Sequence, residues 1–396
     1  MPFSKLGLAP SLCTSLARMG YTQPTPVQSA SIPLVLSGAD LLARAQTGTG
    51  KTAAFGLPMI ERLLVRAHRV ATRSPLGLVL VPTRELADQV HRALARYGAP
   101  EGLRVTPIVG GAAMGPQVQA LKRGTDIVVA TPGRLIDHLQ RRTIDLSAIE
   151  ILTLDEADRM LDMGFLPPLR RLIPALPRTR QTLLFSATLP TAVIRLSAEF
   201  TRNPLRVDVS NGQIVAPTVT HRVHPVAADR KRELLLHVLT QSPAGQALVF
   251  CKTKHGSDRV GRYLEWAGIK VAVIHGNKRQ GARNRSLADF KTGRVTVLVA
   301  TDIPARGLDI AHLPLVVNYD LPLVPEDYIH RVGRTGRAGL AGRAVSLVSA
   351  SEWPLVRDIQ RLLPEPLEQV VVEAFQTSHA RQHGPGGGRF QRAATL

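Results

Sequence analysis

Cysteines and long apolar runs are scarce in this sequence of 396 residues. Its two cysteines, Cys13 and Cys251, lie far apart without CxxC spacing, which argues against a zinc site and provides no disulfide framework. No stretch of about 18 consecutive apolar residues occurs, which excludes a membrane-spanning helix on length. The N-terminal segment has no compact apolar core followed by a small-residue cleavage site. We therefore expect a soluble protein of the reducing cytoplasm, with no membrane partner.

Acidic residues are also few: the chain has 30 Asp and Glu but 50 Lys and Arg, which gives a formal net charge of +20. Such an excess favours polyanions, since binding releases the counterions that phosphates condense around themselves. Nucleic acid is therefore the leading partner class. A generally Arg-rich composition would give the same net charge without such a partner, and charge alone does not separate the two interpretations.

Short runs of β-branched or aliphatic residues recur along the chain, and each is followed by helix-like sequence. The same alternation begins again after position 218. The runs lie at 76–81, 125–131, 150–155 and 182–188, and then at 247–253, 271–276, 296–302 and 314–320. This alternation predicts an α/β fold in which parallel strands are joined by helices on both faces of a sheet. We predict a first domain over 1–208, a linker over 209–218, a second domain over 219–378 and a basic, Gly-rich, disordered tail over 379–396.

A glycine-rich segment follows the apolar run 41–45 and opens a helix-like stretch, which is the strand, loop and helix context of a phosphate-binding loop. Its residues are Ala45, Gln46, Thr47, Gly48, Thr49, Gly50, Lys51 and Thr52. Glycines let backbone N–H groups approach phosphates. We expect Lys51 to reach the β and γ phosphates and the Thr52 hydroxyl to ligate Mg²⁺. A glycine-rich turn without a ligand is the alternative, and Ala45 replaces the first glycine of the strict motif.

The tetrapeptide Asp155-Glu156-Ala157-Asp158 ends the strand-like run 150–154. At that position Asp155 is expected to hold Mg²⁺ through water, and Glu156 to orient and deprotonate the attacking water. An isolated tetrapeptide of this kind could simply cap a helix. Its pairing with Lys51 and Thr52 favours the catalytic interpretation.

Asp-Glu-Ala-Asp is also the signature of the DEAD-box RNA helicases, and the chain resembles that family over nearly its whole length. Residues 20–28 are similar to the family's adenine-recognition motif, which contains Tyr21 and Gln28, and Phe3 stands upstream where the family carries an aromatic residue. The resemblance implies two tandem RecA-like domains, ATP and Mg²⁺ as cofactors, and a Gln28 side chain that reads the adenine edge. A carboxamide suits that task because it offers a donor and an acceptor together.

Further motifs of the family are matched in order, and the resemblance assigns them to RNA. The residues so assigned are Pro82, Thr83, Arg84, Gly110, Gly111, Thr131, Pro132, Gly133, Arg134, Gln280, Arg283 and Thr301. Their hydroxyls, exposed N–H groups and arginines suit contacts with phosphates rather than with base edges, so sequence-independent binding of RNA is expected. Taken singly, a segment such as 131–134 could be no more than a capped turn.

The remaining motifs couple ATP to RNA in the family. The resemblance makes Ser186, Thr188 and His330 coupling residues, places Asp309 on the ATP ribose, and makes Arg334 and Arg337 arginine fingers on the γ phosphate. Pro304 departs from the small residue usual at its position, which puts the contacts of that loop in question. The implied mechanism is a clamp that ATP and RNA close and that hydrolysis reopens.

Three rival functions share parts of this pattern. A DNA translocase would use the same backbone contacts, a non-catalytic scaffold would keep the fold alone, and a P-loop kinase would need a substrate pocket that no motif supplies. Within the family, the segments 162–165, 275–278 and 280–283 are similar to the bacterial RhlE-type subgroup. By that analogy we expect a monomer that acts on ribosomal precursors or in an RNA-degradation complex.

Overall fold

The computed structural model describes residues 2–46, 48–67, 74–209, 219–242, 245–302, 310, 313–336 and 341–375. The described residues fall into two compact units, with 2–209 in the first and 219–375 in the second. The predicted tail over 379–396 and most of the predicted linker over 209–218 lie outside the described residues. Within the described residues, no helix is both long enough and apolar enough to cross a membrane.

The first unit is built on a sheet of seven parallel strands. The strands are β1 (Leu41–Arg44), β2 (Gly77–Leu80), β3 (Val105–Ile108), β4 (Ile127–Ala130), β5 (Ile151–Leu154), β6 (Gln181–Ser186) and β7 (Leu205–Asp208). Their order across the sheet is β3-β4-β2-β5-β6-β1-β7. Most are fully buried, which explains why they read as continuous apolar runs in the sequence.

Helices cover both faces of this sheet. They are α1 (Pro10–Arg18), α2 (Pro26–Leu36), α3 (Lys51–Ala67), α4 (Arg84–Gly98), α5 (Met114–Lys122), α6 (Pro132–Gln140), α7 (Ala157–Asp162), α8 (Leu166–Leu172) and α9 (Thr191–Phe200), with short 3-10 turns at Phe3–Leu6, Ala99–Glu101 and Ile173–Ala175. Neighbouring residues of β2 show the two faces, because Val79 packs into one hydrophobic cluster and Leu78 and Leu80 into the other. The sheet is therefore the middle layer of three.

The second unit repeats the plan with another sheet of seven parallel strands. Its strands are β8 (Val219–Pro225), β9 (Ala247–Phe250), β10 (Val271–Ile274), β11 (Val297–Ala300), β12 (Leu315–Asn318), β13 (Gly342–Val348) and β14 (Glu368–Gln369), in the order β10-β11-β9-β12-β13-β8-β14. Its helices are α10 (Lys231–Thr240), α11 (Lys254–Trp266), α12 (Gln280–Lys291), α13 (Pro325–Val332) and α14 (Trp353–Gln360), with 3-10 turns at Ala228–Arg230, Ala350–Glu352 and Glu373–Phe375. The predicted α/β class with two mostly parallel sheets is confirmed.

Parallel pairing also decides where the motifs lie. Because all strands of a parallel sheet point the same way, the loops that follow them gather at one edge, the carboxyl edge. In the first unit this edge receives the segments that follow β1, β2, β3, β4, β5 and β6, and each of these segments contains a predicted site residue. Motifs that are far apart in sequence thus share one edge of the first sheet.

Candidate nucleotide and RNA sites

The phosphate loop joins β1 to α3 through two glycines in left-handed conformations. Gly48 has a φ of 84° and Gly50 a φ of 94°, which side chains with a Cβ rarely adopt. A Cβ at Gly50 would also lie 2.3 Å from Nε2 of Gln28. Thr49 closes the turn by donating its hydroxyl to the carbonyl of Gln46 at 2.7 Å. The backbone of this loop is therefore shaped for close approach, although Thr47 lies outside the described residues.

Ala45 and Thr52 lie on either side of the loop. Ala45, at the position of the first glycine of the strict motif, is fully buried and donates its N–H to the carbonyl of Ser186 at 3.0 Å. Thr52 is half-buried in the first turn of α3. The bond from Ala45 fixes the start of the loop to the end of β6.

Lys51 is the first residue of α3, and its side chain is almost fully buried, at 6% exposure. Among the residues that the structure describes, none accepts a hydrogen bond from its Nζ atom. A buried ammonium without an acceptor is costly, and a phosphate would provide both acceptors and opposite charge. The amino terminus of α3 adds positive potential at the same place. Lys51 therefore has the surroundings of an anion-binding lysine.

Asp155 and Glu156 follow β5 at the carboxyl edge and are both buried. Burial raises the pKa of Asp155 to about 6, the Lys51 ammonium opposes that rise, and the Glu156 carboxylate adds to it. Glu156 adopts a left-handed backbone with a φ of 56°, which is strained for a residue with a long side chain. Its Oε2 lies 3.8 Å from Nη1 of Arg159 and accepts no hydrogen bond from the described residues. Two buried carboxylates beside a lysine are a donor set that suits a hard cation bound with a phosphate.

Asp158 ties this tetrapeptide to the segment that follows β6. Its Oδ2 accepts the backbone N–H groups of Ala187 and Thr188 at 3.1 and 2.8 Å, and the Thr188 hydroxyl at 2.9 Å. Its own N–H donates to Oγ of Ser186 at 3.2 Å. The side chain is 4% exposed, so these bonds form in a nearly dry environment. Ser186 and Thr188 are thus connected directly to the tetrapeptide that contains Glu156, through Asp158, a member of the motif to which the sequence assigned no role of its own.

The adenine-recognition segment packs against the phosphate loop through Gln28. The Oε1 atom of Gln28 accepts the N–H of Thr25 at 2.9 Å, and its Nε2 donates to the carbonyl of Gly50 at 3.1 Å. Gln28 lies in the first turn of α2, and its bond from the N–H of Thr25 caps the start of that helix. Among the described residues, each end of the carboxamide forms one hydrogen bond, and its oxygen and its nitrogen can each form a second. The predicted contact with adenine stays a prediction, and the structure adds a second role, the bracing of the loop.

Phe3 and Tyr21 belong to an aromatic cluster. Phe3 is 5% exposed and meets Tyr21 edge-on with centroids 6.4 Å apart, and Tyr21 meets Tyr97 in the same way at 5.9 Å. The hydroxyls of Tyr21 and Tyr97 are hydrogen bonded at 2.8 Å, and burial raises the pKa of Tyr97 well above its ordinary value. Phe3 therefore packs in the core of the first unit and presents little ring surface to a base.

The segments predicted to hold RNA follow β2, β3 and β4, which are neighbours in the sheet. Thr83 caps α4 by accepting the N–H of Leu86 at 3.3 Å, and Gly110 donates its N–H to Oγ1 of Thr131 at 3.4 Å. Gly111 has a φ of 69°, and a Cβ there would overlap the guanidinium of Arg84. These contacts bring the three segments together.

Arg134 and Gln117 hold the middle segment in place. Arg134 donates through Nη1 to the carbonyl of Ala112 at 3.0 Å. Gln117, a buried residue of α5, accepts the N–H of Val109 and donates to the carbonyls of Val109 and Ala113, each at 3.1 Å. Pro132 and Gly133 form the first turn of α6, where Gly133 leaves open space beside the helix. No sequence pattern had identified Gln117.

In the second unit, the predicted RNA residues lie at the ends of β10 and β11. Thr301 follows β11 and donates its N–H to the carbonyl of Ile274, the last residue of β10, at 3.3 Å. Gln280 begins α12, and its Oε1 accepts from Nη1 of Arg283 at 3.3 Å. Pro304 and Asp309 of the same motif lie outside the described residues.

The helix α13 contains His330 and is followed by Arg334, whose side chain is 5% exposed. Between them Arg331, almost fully buried, forms a two-pronged ion pair with Asp302: its Nε and Nη2 donate to the two carboxylate oxygens at 2.6 and 2.7 Å. The carbonyl of Arg334 accepts the N–H of Leu313 at 3.1 Å. Arg337 lies outside the described residues. Arg331 had no assigned role, yet it anchors the segment on which two predicted site residues lie.

Family models and relatives match this chain over most of its length. The model described as DEAD/DEAH box helicase matches residues 25–196, and the one described as helicase conserved C-terminal domain matches residues 230–339. The DEAD-box ATP-dependent RNA helicase CshA of Streptococcus pneumoniae serotype 4 is 41% identical over 381 residues, which cover 95% of this chain and 72% of that protein. The chain belongs to the DEAD-box helicase family.

Two further members extend the comparison. The ATP-dependent RNA helicase DeaD of Buchnera aphidicola is 42% identical over 369 residues, 93% of this chain, but the chain spans only 60% of that relative's length. Among solved structures, S. cerevisiae Dbp5 bound to RNA and ADP BeF3 is 31% identical and superposes with a TM-score of 0.82. The match covers 93% of this chain and 95% of the Dbp5 chain. The expected pair of RecA-like domains is thus consistent with the fold of this DEAD-box neighbour. The RhlE-type subgroup stays a prediction.

Proposed function

We propose that this chain is an RNA-stimulated ATPase that separates short stretches of RNA duplex. The observation that carries the proposal is the buried Lys51 ammonium at the phosphate loop, with Asp155 and Glu156 buried at the same edge of the sheet. A site with one buried ammonium and two buried carboxylates suits a nucleotide phosphate together with a divalent cation. Relatives named ATP-dependent RNA helicases support the choice of ATP and RNA.

Residues of the first unit would hold ATP and Mg²⁺ in this proposal. The loop 45–50 and Lys51 would bind the phosphates, Gln28 would bind the adenine, and Thr52 and Asp155 would hold the metal ion, as oxygen ligands suit Mg²⁺. Asp155 is buried, and burial raises the pKa of this carboxyl, so a cation bound there would offset the cost of burying its charge. When bound, Mg²⁺ supplies charge neutralisation at the phosphates.

Glu156 would act as the general base. Its Oε2 accepts no hydrogen bond from the described residues, so the carboxylate can take a proton from a water held beside it. Nη1 of Arg159 lies 3.8 Å from this carboxylate oxygen and helps to fix the position of the side chain. The strained backbone at Glu156 would set the direction of its side chain.

Coupling to RNA would pass through Asp158. Its bonds to Ala187 and Thr188 join the catalytic tetrapeptide to the segment after β6, so a shift in one must be felt by the other. We propose that ATP and single-stranded RNA each favour a closed arrangement of the two units, and that hydrolysis reopens it. Arg334, Arg337 and Asp309 would complete the ATP site, as the family resemblance implies.

RNA would be held along the edge formed by the segments after β2, β3 and β4, with Thr301, Gln280 and Arg283 of the second unit. Hydroxyls, backbone N–H groups and arginines contact phosphates and sugars without reading bases, so we expect little sequence preference. The proposed setting is ribosome assembly or RNA turnover, and the proposed state is a monomer. Both rest on analogy within the family.

The test is steady-state ATP hydrolysis with and without single-stranded RNA, with single-stranded DNA as the comparison. We expect stimulation by RNA alone, and a loss of about 100-fold or more in the Glu156→Gln variant. Glu101→Gln, a change of the same kind in a short turn of the first unit, should leave the rate unchanged. Equal stimulation by DNA would contradict the choice of RNA, and the absence of hydrolysis in the unaltered protein would contradict the ATPase itself.

A further inference from the structure

Trp266 stands out as a large aromatic residue on the outside of the second unit. It is the last residue of α11 and is 83% exposed, in a chain with 4% aromatic residues and two tryptophans. Tryptophan is usually well buried, because its large apolar surface gains more than that of any other side chain on leaving water. An exposed tryptophan is therefore a candidate for contact with a ligand.

The neighbours of Trp266 extend its flat surface. The ring of Tyr263, one turn earlier in α11, lies 6.3 Å away with an angle of 34° between the planes. The guanidinium of Arg232, from α10, lies over the Tyr263 ring at 5.6 Å from its centroid. Two aromatic rings and a planar cation thus lie next to each other, an arrangement on which nucleobases stack readily.

Three arginines give this surface its positive charge. Arg232, Arg259 and Arg262 form no ion pair within the described residues, whereas other arginines of the unit do, such as Arg222 with Glu368. The three lie on α10 and α11, and the contact recorded for Arg262 is from its Nε to the carbonyl of Asp258 at 3.4 Å.

Acidic groups on this side of α11 do little to offset the arginines. Asp258 is already bound by His275 and Lys278, each at 3.0 Å. Glu265, which precedes Trp266 in α11, is exposed and contributes one negative charge. The surface therefore joins exposed aromatic area to a net positive charge.

We propose that this surface, formed by Arg232, Arg259, Arg262, Tyr263 and Trp266 and here called the Trp266 face, binds a single-stranded segment of RNA. A base would stack on Trp266, and the arginines would contact the phosphates on either side. The inference rests on the RNA-binding function proposed above. It adds a second place of contact, which none of the family's motifs includes. The net positive charge of the Trp266 face favours RNA, which is a polyanion, as the occupant. An apolar protein surface with few acidic residues would not use that charge.

The position of the face predicts a dependence on RNA length. α11 begins after β9, at the carboxyl edge that also carries Thr301, and Trp266 is at the far end of the helix. Thirteen residues of helix extend about 20 Å. An RNA that only fills the proposed path at the carboxyl edge would not reach Trp266, whereas a longer strand would continue along α11.

Fluorescence can report on this contact directly, because the chain has only two tryptophans, Trp266 and Trp353. In a Trp353→Phe variant, Trp266 is the sole source of tryptophan emission. We expect an oligouridine of about 30 nucleotides to quench that emission in a saturable way, and one of about 8 nucleotides to leave it nearly unchanged. Unchanged emission at concentrations of the long RNA that saturate binding would overturn the inference.

Affinity measurements provide the second test. Trp266→Ala should weaken binding of the long RNA about fivefold or more and leave the short RNA unaffected. Arg259→Ala should lower the slope of log affinity against log salt by about 0.7 for the long RNA. Matched controls are Leu323→Ala, an exposed apolar residue of the same unit, and Arg357→Ala, an exposed arginine of α14. Both controls should behave like the unaltered protein.

The outcomes separate this inference from the proposed function. If the short RNA stimulates ATP hydrolysis normally while Trp266→Ala binds both RNAs as the unaltered protein does, the Trp266 face is not an RNA site and the proposed function stands. If sedimentation shows self-association that Trp266→Ala abolishes, with RNA binding unchanged, the occupant is a second copy and the inference is wrong. If no RNA binds or stimulates the unaltered protein, the proposed function itself fails.

Discussion

Arg331 provides the sharpest test of how the second unit holds its predicted site residues. The change is Arg331→Met, which keeps a long flexible side chain of similar reach and removes the guanidinium. Four hydrogen bonds are lost: two to Asp302, one to Oδ1 of Asn318 at 3.0 Å, and one to the carbonyl of Asp320 at 2.7 Å. The guanidinium also lies 5.0 Å from the centroid of the Phe250 ring, a contact that methionine can partly replace.

The expected loss follows from the burial of the partners. Removing one member of a buried ion pair costs about 3–5 kcal/mol, because the other charge is left without compensation. The side chain of Arg331 is 1% exposed and that of Asp302 is 24% exposed, so water can solvate the Asp302 carboxylate in part once the guanidinium is removed. We therefore expect the lower end, about 3 kcal/mol of the free energy of unfolding of the second unit.

The assay is urea unfolding followed by tryptophan fluorescence. Both tryptophans belong to the second unit, so the signal reports on that unit and not on the first. With a urea dependence of about 2 kcal/mol per molar, a loss of about 3 kcal/mol lowers the midpoint by about 1.5 M. Arg357→Met, the same change at an exposed position, should shift the midpoint by less than about 0.3 M.

A double variant identifies the cause. If the loss of the pair between Arg331 and Asp302 produces the destabilisation, the combined loss in the double variant Arg331→Met/Asp302→Ala should be smaller than the sum of the two single losses, because each single change already breaks that pair. A midpoint within about 0.5 M of the unaltered protein for Arg331→Met would refute the reasoning. So would a double variant whose loss equals the sum of the two single losses, since the two residues would then act independently.

Three further predictions concern other parts of the chain. Asp158→Ala should speed amide hydrogen exchange at Thr188, measured by mass spectrometry, because that N–H loses its acceptor; unchanged exchange would contradict the coupling. Gly50→Ala should weaken binding of a fluorescent ATP analogue far more than Gly102→Ala does. Both glycines have a positive φ, but only a Cβ at position 50 would collide with a neighbouring side chain. Burial lowers the pKa of His221 from 6.5 to about 4, so this imidazole is harder to protonate in the folded second unit than in the unfolded chain. The contribution of His221 to the stability of the second unit should be complete above pH 6.5 and should be lost as the pH falls from 6.5 to 4. Thermal unfolding followed by fluorescence should show this loss, and the His221→Gln variant should show a smaller one.

The sequence by itself determined the class of fold and the family. Buried parallel strands must be apolar throughout, so they show as runs such as 76–81, and the glycines and lysine of 45–52 follow a strand as phosphate binding requires. These are local patterns, in which neighbours along the chain carry the information. The Asp-Glu-Ala-Asp tetrapeptide was visible for the same reason.

Only the tertiary structure decided which residues support the site. The acceptor role of Asp158 depends on β5 and β6 being neighbours, and the ion pair of Arg331 depends on α13 packing beside the end of β11, neither of which the spacing in sequence fixes. The same holds for exposure: Phe3 is buried and Trp266 is open to water, although both are large aromatic residues. Burial is set by what packs against a side chain from distant parts of the chain, and local periodicity does not contain that information.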